Sequence, residues 1–329
     1  MGDRKPLRVV VLTGGTSAER EVCLMSGRKV LGALDRERYE AVSVDLADIT
    51  RAGDVAALLS AFGPGLRPDV VFVALHGGAG ENGTVQGMLE LLGVPYTGSG
   101  VLASALALNK IVAKKLFERE GIPTPRWAAV REAERVGAAG RIVSTLGLPC
   151  VVKPGQEGSS IGVTIVKQQG ELEEAFGLAF RYGPEVLVEE YIAGTEITGP
   201  VLGNDNPRVL PLIEIVPKNE FYDYQAKYTP GATEEIIPAR ITEAQAERAR
   251  ELTLAAHQLV GCRGMSRADM IATPDEVYVL ELQTIPGLTD TSLVPRAAEA
   301  AGISFPQLVD RLIELALEER GGGGVGRKS

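Results

Sequence analysis

Arg267-Ala-Asp269-Met-Ile-Ala-Thr273-Pro-Asp-Glu276-Val-Tyr-Val-Leu-Glu281-Leu-Gln283-Thr-Ile-Pro-Gly287 reads as two apolar strands joined by a turn at Thr273–Glu276. Strand alternation puts Arg267 and Asp269 on one face of the first strand, and Glu281 and Gln283 on one face of the second. If the turn sets the register that opposes Asp269 to Glu281, oxygen ligands converge beside a guanidinium. Such a cluster suits a hard cation that carries phosphates, because magnesium takes a few protein oxygens and leaves its other positions to water and phosphate. The competing reading is a hairpin with one solvated charged face. The flanks argue against it: both carboxylates interrupt runs that otherwise read as buried, and a buried carboxylate needs a cation or hydrogen-bond donors.

Working outward, the chain of 329 residues, 45% of them hydrophobic, suits two or three domains with real cores. A net charge of -9, from 43 acidic against 34 basic residues, leaves no footprint for nucleic acid or an anionic membrane. The apolar run Val9–Leu12 is too short for a signal peptide and nothing approaches a membrane span, so the cytoplasm is the expected location. Cys23, Cys150 and Cys262 lie far apart without CxxC spacing, which disfavours disulfides and zinc. With two histidines, and His257 inside a helical run where it reads as a surface or packing residue, a histidine-based metal site is excluded.

The first hundred residues alternate apolar strands (8–12, 41–46, 69–75) with amphipathic segments, including a helix near 21–34, the pattern of an open parallel sheet with crossover helices. A boundary follows near 96–100. One helix is expected over 102–120, ended by Gly121-Ile-Pro123. Pro149 to Val166 reads as strand, glycine loop, strand. A helix over 171–182 and a strand over 186–192 complete a compact α+β unit. Strands over 200–216, a polar loop over 219–235, a helix over 243–260, the opening hairpin and a helix over 305–319 follow. The expected organisation is an N-terminal unit at 1–99, a central unit at 100–195, a C-terminal unit at 196–319 and a glycine-rich tail at 320–329.

The glycine loop 155–162 offers backbone N–H groups, the hydroxyls of Ser159 and Ser160, and Lys153 at the end of the strand before it. It is suited to cradling phosphates, yet it is neither a P-loop nor a dinucleotide fingerprint; the alternative is a plain glycine-rich hairpin. Leu75-His76-Gly-Gly-Ala-Gly-Glu-Asn-Gly ends a strand and begins a helix, where open α/β sheets bind ligands. His76 could orient or polarise a substrate there, or be structural. At Leu12-Thr-Gly-Gly-Thr-Ser17-Ala-Glu19, Ser17 or a neighbour is expected to cap a helix. Glu19 in the first turn is then a dipole-compensating carboxylate, which spacing favours, or a ligand for an ammonium.

Taken together, GGTSAEREV (14–22), HGGAGENGTVQG (76–87), TGSGVLASALALNK (97–110), VVKPGQEGSSIGV (151–163), VEEYIAGTE (188–196), FYDYQAKYTPG (221–231) and RAD…LELQTIPGLTDTSLVP (267–295) resemble the D-alanine:D-alanine ligases of the ATP-grasp superfamily, from about Val9 to Leu317. The resemblance implies an α/β fold with α+β central and C-terminal units. It implies ATP as phosphoryl donor and two magnesium (or manganese) ions on Asp269, Glu281 and Gln283. Lys110, Lys153, Gly158, Ser159 and Ser160 would contact phosphates, with adenine against Glu189, Glu190 and Ile192, and Glu196 also at the nucleotide. Glu19 would take the ammonium of the first D-alanine with His76 close by, Arg267 and the N–H of Gly287 the oxyanion, and Lys227, Ser292 and Leu293 the second substrate. The loop 219–235 would be a lid whose Tyr228 bonds Ser159 and Glu196, with Lys227 reaching the ATP. The family also suggests a homodimer, and activation by a monovalent cation stays open.

Gln283 stands where the family has asparagine, Asn109 where it has aspartate, and Gly199-Pro200 and Ala268 depart from the usual packing residues. These departures keep two alternatives open: a related ligase with D-serine or D-lactate as second substrate, and a nucleotide-binding protein with weakened catalysis.

Overall fold

Leu7–Thr13 (β1) is buried from Val9 onward, as a β-branched strand covered on both faces must be. It pairs in parallel with Tyr39–Asp45 (β2) and Val70–Val73 (β3), giving the order β2-β1-β3. The computed structural model describes residues 5–50, 62, 67–217 and 233–318. Helix α1, Arg20–Ala33, lies on this sheet through Val22, Cys23, Ser26, Gly27 and Val30. The short α2, Gly78–Glu81, and α3, Thr84–Leu91, follow β3.

The expected single helix over 102–120 is two, α4 (Val101–Leu108) and α5 (Lys110–Arg119). Asn109 separates them: its backbone is extended and its side chain accepts from Val112 N–H, an N-cap that competes with continuing the helix.

The central unit is an antiparallel sheet in the order β4-β7-β5-β6, built from Trp127–Arg131, Glu185–Glu190, Cys150–Pro154 and Thr164–Val166. Helices α6 (Ala138–Leu146) and α7 (Leu172–Ala179) contribute Ile142, Leu172 and Phe176 to its core. The third sheet runs β11-β10-β8-β12-β13, with β9 also on β8. Its strands are Thr195–Leu202 (β8), Arg208–Val209 (β9), Ile213–Pro217 (β10), Thr233–Ile236 (β11), Met265–Ala272 (β12) and Val277–Gln283 (β13).

Helix α8, Glu243–Val260, starts at a Thr242/Gln245 capping box and stops at Gly261 in the left-handed region. It runs so close to β8 that a Cβ on Gly199 would lie 2.3 Å from Thr253 Oγ1, which accounts for glycine there. Pro200 fits because pairing on that flank passes from β10, up to Thr198, to β9, from Val201, leaving Pro200 in the interval.

Helices α9 (Leu293–Ala300) and α10 (Phe305–Glu318) close the described chain. From α10, Leu308, Val309, Leu312 and Ile313 join a core that takes in β1 and β3 and also Ile213 and Met265 of the third sheet. Apolar spacing predicts that face and says nothing of its partner.

Candidate active site

The opening hairpin takes the predicted register: Arg267 opposes Gln283 and Asp269 opposes Glu281, with a shift between Asp269 and Met270 that leaves Leu280 as an extra residue in β13. The irregularity lies beside the two carboxylates, where bulges serve to re-aim side chains. Asp269 is buried and held from two sides. Arg267 donates to both of its oxygens, Nε at 2.8 Å and Nη2 at 2.7 Å, and Thr198 Oγ1 donates at 2.6 Å. Gln283 Nε2 donates to Glu281 Oε1 at 3.2 Å, and Lys110 Nζ lies 3.2 Å from Glu281 Oε2.

Two cavities meet here. A cleft opens between the central and C-terminal sheets. One wall carries Val151, Val163 and Ile165, the other Ile192, Ile271 and Leu280, and the polar end gathers Lys110, Lys153, Ser160, Glu189, Glu196, Asp269 and Glu281. A flat apolar slot ending in cations and oxygen ligands suits a nucleobase followed by metal-bearing phosphates. A smaller pocket adjoins it, lined by Glu19, His76, Gly158, Ser159, Arg267, Gly287, Ser292 and Leu293 among others. Lys227 and Tyr228, and the loop 219–235 up to residue 232, lie outside the described residues.

Ser17 Oγ accepts from Glu19 N–H at 3.3 Å, just ahead of α1, and donates to His76 O at 2.7 Å, while Glu19 is the N-cap residue of α1 and makes no capping side-chain bond. The Glu19 carboxylate instead accepts from Ser159 Oγ, and a Cβ on Gly158 would lie 2.7 Å from Glu19 Oε2. The glycine loop can fold onto Glu19 only with that side chain missing. Ser159 and Ser160 adopt φ of 50° and 58°, left-handed values that turn the loop across the junction of the two cavities.

His76 has both ring nitrogens engaged by protein, Nε2 with Ser26 Oγ at 2.9 Å and Nδ1 with Ile285 O at 3.0 Å. Burial lowers its basicity, partly opposed by the nearby Glu19 charge. Ser292 Oγ accepts from Thr289 N–H at 2.9 Å and meets Thr289 Oγ1 at 2.8 Å.

Glu189 is the electrostatic centre of the cleft. Its carboxylate lies between the ammonium groups of Lys114 and Lys153. Burial favours its neutral form, yet the two lysines hold it below the usual carboxylate range. Burial pulls Lys153 down as well, and the charges of Glu189 and Glu281 more than offset this, leaving it raised. Lys114 ends below the ordinary lysine range, because desolvation outweighs Glu189. Glu190 also lines the cleft, and its carboxylate is bound by Arg126 N–H at 2.8 Å and Nε at 2.6 Å.

Two residues escaped the sequence reading. Lys114 is one turn beyond Lys110 on the same face of α5, a spacing that could have flagged it. Glu81 lines the pocket, accepts from Gly77 N–H at 3.0 Å, and is pushed up to about 8 by burial and by Glu19.

Asp269, Glu281 and the Gln283 amide are hard oxygen donors flanked by cations, and that donor set fits magnesium or manganese. Among the described residues no three carboxylate, thiolate or imidazole side chains converge. The set therefore fits an ion that brings phosphate oxygens with it.

A nucleotide-sized cleft between two antiparallel sheets, joined to a polar pocket on a parallel sheet, is the ATP-grasp architecture, and solved structures agree. A crystal structure of D-alanine–D-alanine ligase from Bacillus anthracis superimposes with TM-score 0.84 at 37% identity, covering 97% of this chain and 100% of that one. The same enzyme complexed with ATP gives 0.83 at 36%, covering 98% and 100%. The model for the D-ala D-ala ligase C-terminus matches residues 116–314, and that for the N-terminus residues 60–99. A D-alanine–D-alanine ligase of Desulforudis audaxviator is 51% identical over 312 residues, 94% of this chain and 99% of that protein. The chain belongs to the D-alanine–D-alanine ligase family. No helix among the described residues is long and apolar enough to cross a membrane.

Proposed function

We propose that this protein joins two D-alanines in an ATP-dependent reaction that supplies a peptidoglycan precursor. The observation that carries the reading is the meeting of the two cavities: Arg267 faces the small pocket, Asp269 the cleft, and the two side chains are bonded across the junction.

A carboxylate oxygen of the first D-alanine attacks the γ-phosphorus and ADP departs, leaving an acyl phosphate. The amine of the second D-alanine, having lost a proton, attacks the acyl carbon and phosphate departs. Phosphoryl transfer of this kind depends mainly on positioning and charge neutralisation. Glu19 holds the first ammonium, and Ser159 fixes that carboxylate. Lys110 and Lys153 attract the phosphates under the backbone of Gly158 to Ser160, while Glu189, Glu190, Ile192 and Glu196 border the base and ribose. Arg267 and the Gly287 N–H face the developing oxyanion, an interaction type worth about 3 kcal/mol per donor. Ser292, Leu293 and Lys227 bind the second substrate, and Tyr228 belongs to the cover that keeps water from the acyl phosphate. Magnesium or manganese held by Asp269, Glu281 and Gln283 would neutralise phosphate charge.

We place the reaction in the cytoplasm, in a homodimer whose protomers comprise units at 1–99, 100–195 and 196–319. The test is ADP release with ATP and magnesium, titrating D-alanine against L-alanine, D-serine and D-lactate, with mass detection of products. Turnover to the D-alanine dipeptide alone bears the reading out. Absence of ADP with every substrate sinks it.

A further inference from the structure

Helix α1 begins at the pocket with Glu19 as its N-cap residue. Seven residues later, two turns or about 10 Å along the axis, the same helix presents Ser26 to the loop that carries Gly287 and Ser292. Ser26 is 0% exposed and lines neither cavity. Contacts from α1 and His76 moor that loop, among them the ion pair of Lys29 with Asp290 at 2.8 Å. His76 Nδ1 meets Ile285 O at 3.0 Å, Leu288 N–H points at Ser26 Oγ at 3.4 Å, and Lys29 Nζ donates to Thr289 O at 3.1 Å.

The proton positions follow from the partners. A carbonyl only accepts, so His76 carries its proton on Nδ1 and donates to Ile285 O. The neutral ring then accepts at Nε2, so the Ser26 hydroxyl donates to it across 2.9 Å. That leaves the Ser26 lone pairs facing Leu288 N–H. Each partner in the chain has one role, and the other tautomer of His76 would set the Nδ1 lone pair against the Ile285 carbonyl, two buried acceptors facing each other.

We propose that Ser26 is a positioning residue for the ligation step: through His76 and Leu288 it fixes the loop Ile285–Ser292 at a set distance from Glu19, so that the two amino-acid subsites are spaced along one helix. The inference rests on the function proposed above. Lys29, one turn further on and stacked at 4.3 Å from the Phe305 ring centroid, extends the same strip.

The test is Ser26→Ala in the full chain, a change that removes one oxygen from a fully buried site. Misplacement of reacting groups by about 1 Å costs up to ~10²-fold. The expected result is therefore a kcat lowered roughly tenfold or more, with KM for D-alanine raised and KM for ATP unchanged within about twofold. Lys29→Met, which removes the ammonium from Thr289 O, Asp290 and the Phe305 ring while keeping an apolar stem, should shift the same two constants less. Ser26→Ala combined with His76→Asn should lose no more than the worse single variant, because both remove one linkage. Wild-type kinetics in Ser26→Ala would overturn the proposal. So would a loss in which ATP KM and melting temperature move together with kcat, the sign of general loosening. If the unsubstituted protein makes no dipeptide, the function and this inference fall together; an active parent with an unaffected Ser26→Ala removes the inference alone.

Discussion

Glu189→Gln tests the electrostatics of the cleft most directly, because one carboxylate serves two ammonium groups. Lys114 is 0% and Glu189 2% exposed, while the Lys153 side chain keeps 10% at the cleft wall. Removing one partner of a buried ion pair leaves an uncompensated charge and destabilises by about 3–5 kcal/mol. Lys153 can turn toward solvent and recover hydration. Lys114 cannot: its other contact is Thr124 Oγ1 at 2.5 Å, itself donating to Val279 O at 2.7 Å. The loss is therefore expected at the lower end, about 3 kcal/mol at pH 7.

The deficit should also depend on pH. Lys114 already lies below the ordinary lysine range, and without Glu189 it falls further. Between that folded value and the unfolded one, the unfolded chain binds the extra proton, so the variant's stability rises with pH. Urea unfolding of both proteins at pH 7 and pH 9.5 should show the gap narrowing. Lys114→Met combined with Glu189→Gln removes the buried charge and fills the stem volume, so it should recover most of the loss. A Glu189→Gln protein within 1 kcal/mol of the parent at pH 7, or with a gap that does not change with pH, refutes the reasoning.

Three further outcomes are expected. Gln283→Asn, one methylene shorter beside Glu281, should lower the free magnesium needed for half-maximal ADP release severalfold and leave urea unfolding unchanged; a higher requirement contradicts the assigned ligand. His257 is buried against Ser266 Oγ at 2.7 Å, and desolvation lowers it from 6.5 to about 4. Its stabilising contribution is present above pH 6.5 and is lost as pH falls toward 4, roughly 3 kcal/mol in all; unfolding measured across this window should lose that component in His257→Gln. Glu81, raised from 4.5 to about 8 by burial, acts with the opposite sign. Stability associated with it is full below 4.5 and lost as pH rises through 8. Glu81→Gln should therefore match the parent near pH 4.5 and be more stable at pH 8.5 without divalent metal, and equal melting temperatures at pH 8.5 would rule this out.

The part of the site legible in the sequence is the part that local periodicity determines. Two short apolar strands with a compact turn allow few registers; the one that opposes Asp269 to Glu281 was the condition on which the site reading rested, and the hairpin adopts it. The extra residue at Leu280 was not readable, since a bulge leaves the composition of a strand unchanged. Asn109 was read for its charge, while its short polar side chain was also a stop signal that divides α4 from α5. At Ser17 the hydroxyl does two things at once: it accepts from Glu19 N–H at the start of α1, and it donates to the His76 carbonyl, a tertiary partner that local sequence does not show. Lys114 was not singled out, because its burial depends on the approach of Glu189 from a distant strand.

What remained hidden has one physical cause. The polar residues in the site are satisfied by partners from distant elements: Glu19 by Ser159, 140 residues away, and His76 by Ile285, 209 residues away. Lys110 on α5 meets Glu281 on β13, and Lys114 on the same helix meets Glu189 on β7. Sequence shows a polar group entering an apolar run, which says that a partner must exist, and leaves its identity open. The same arithmetic works in reverse for the folded protein. None of these groups can be buried at low free energy until the element carrying its partner has docked, so the N-terminal sheet, the central sheet and the hairpin are energetically linked through the site itself. Assembly of the cleft and packing of the units are on that account one process, and a substitution at a residue touching no substrate, Lys114 or Ser26, can act on the chemistry by changing how the units meet.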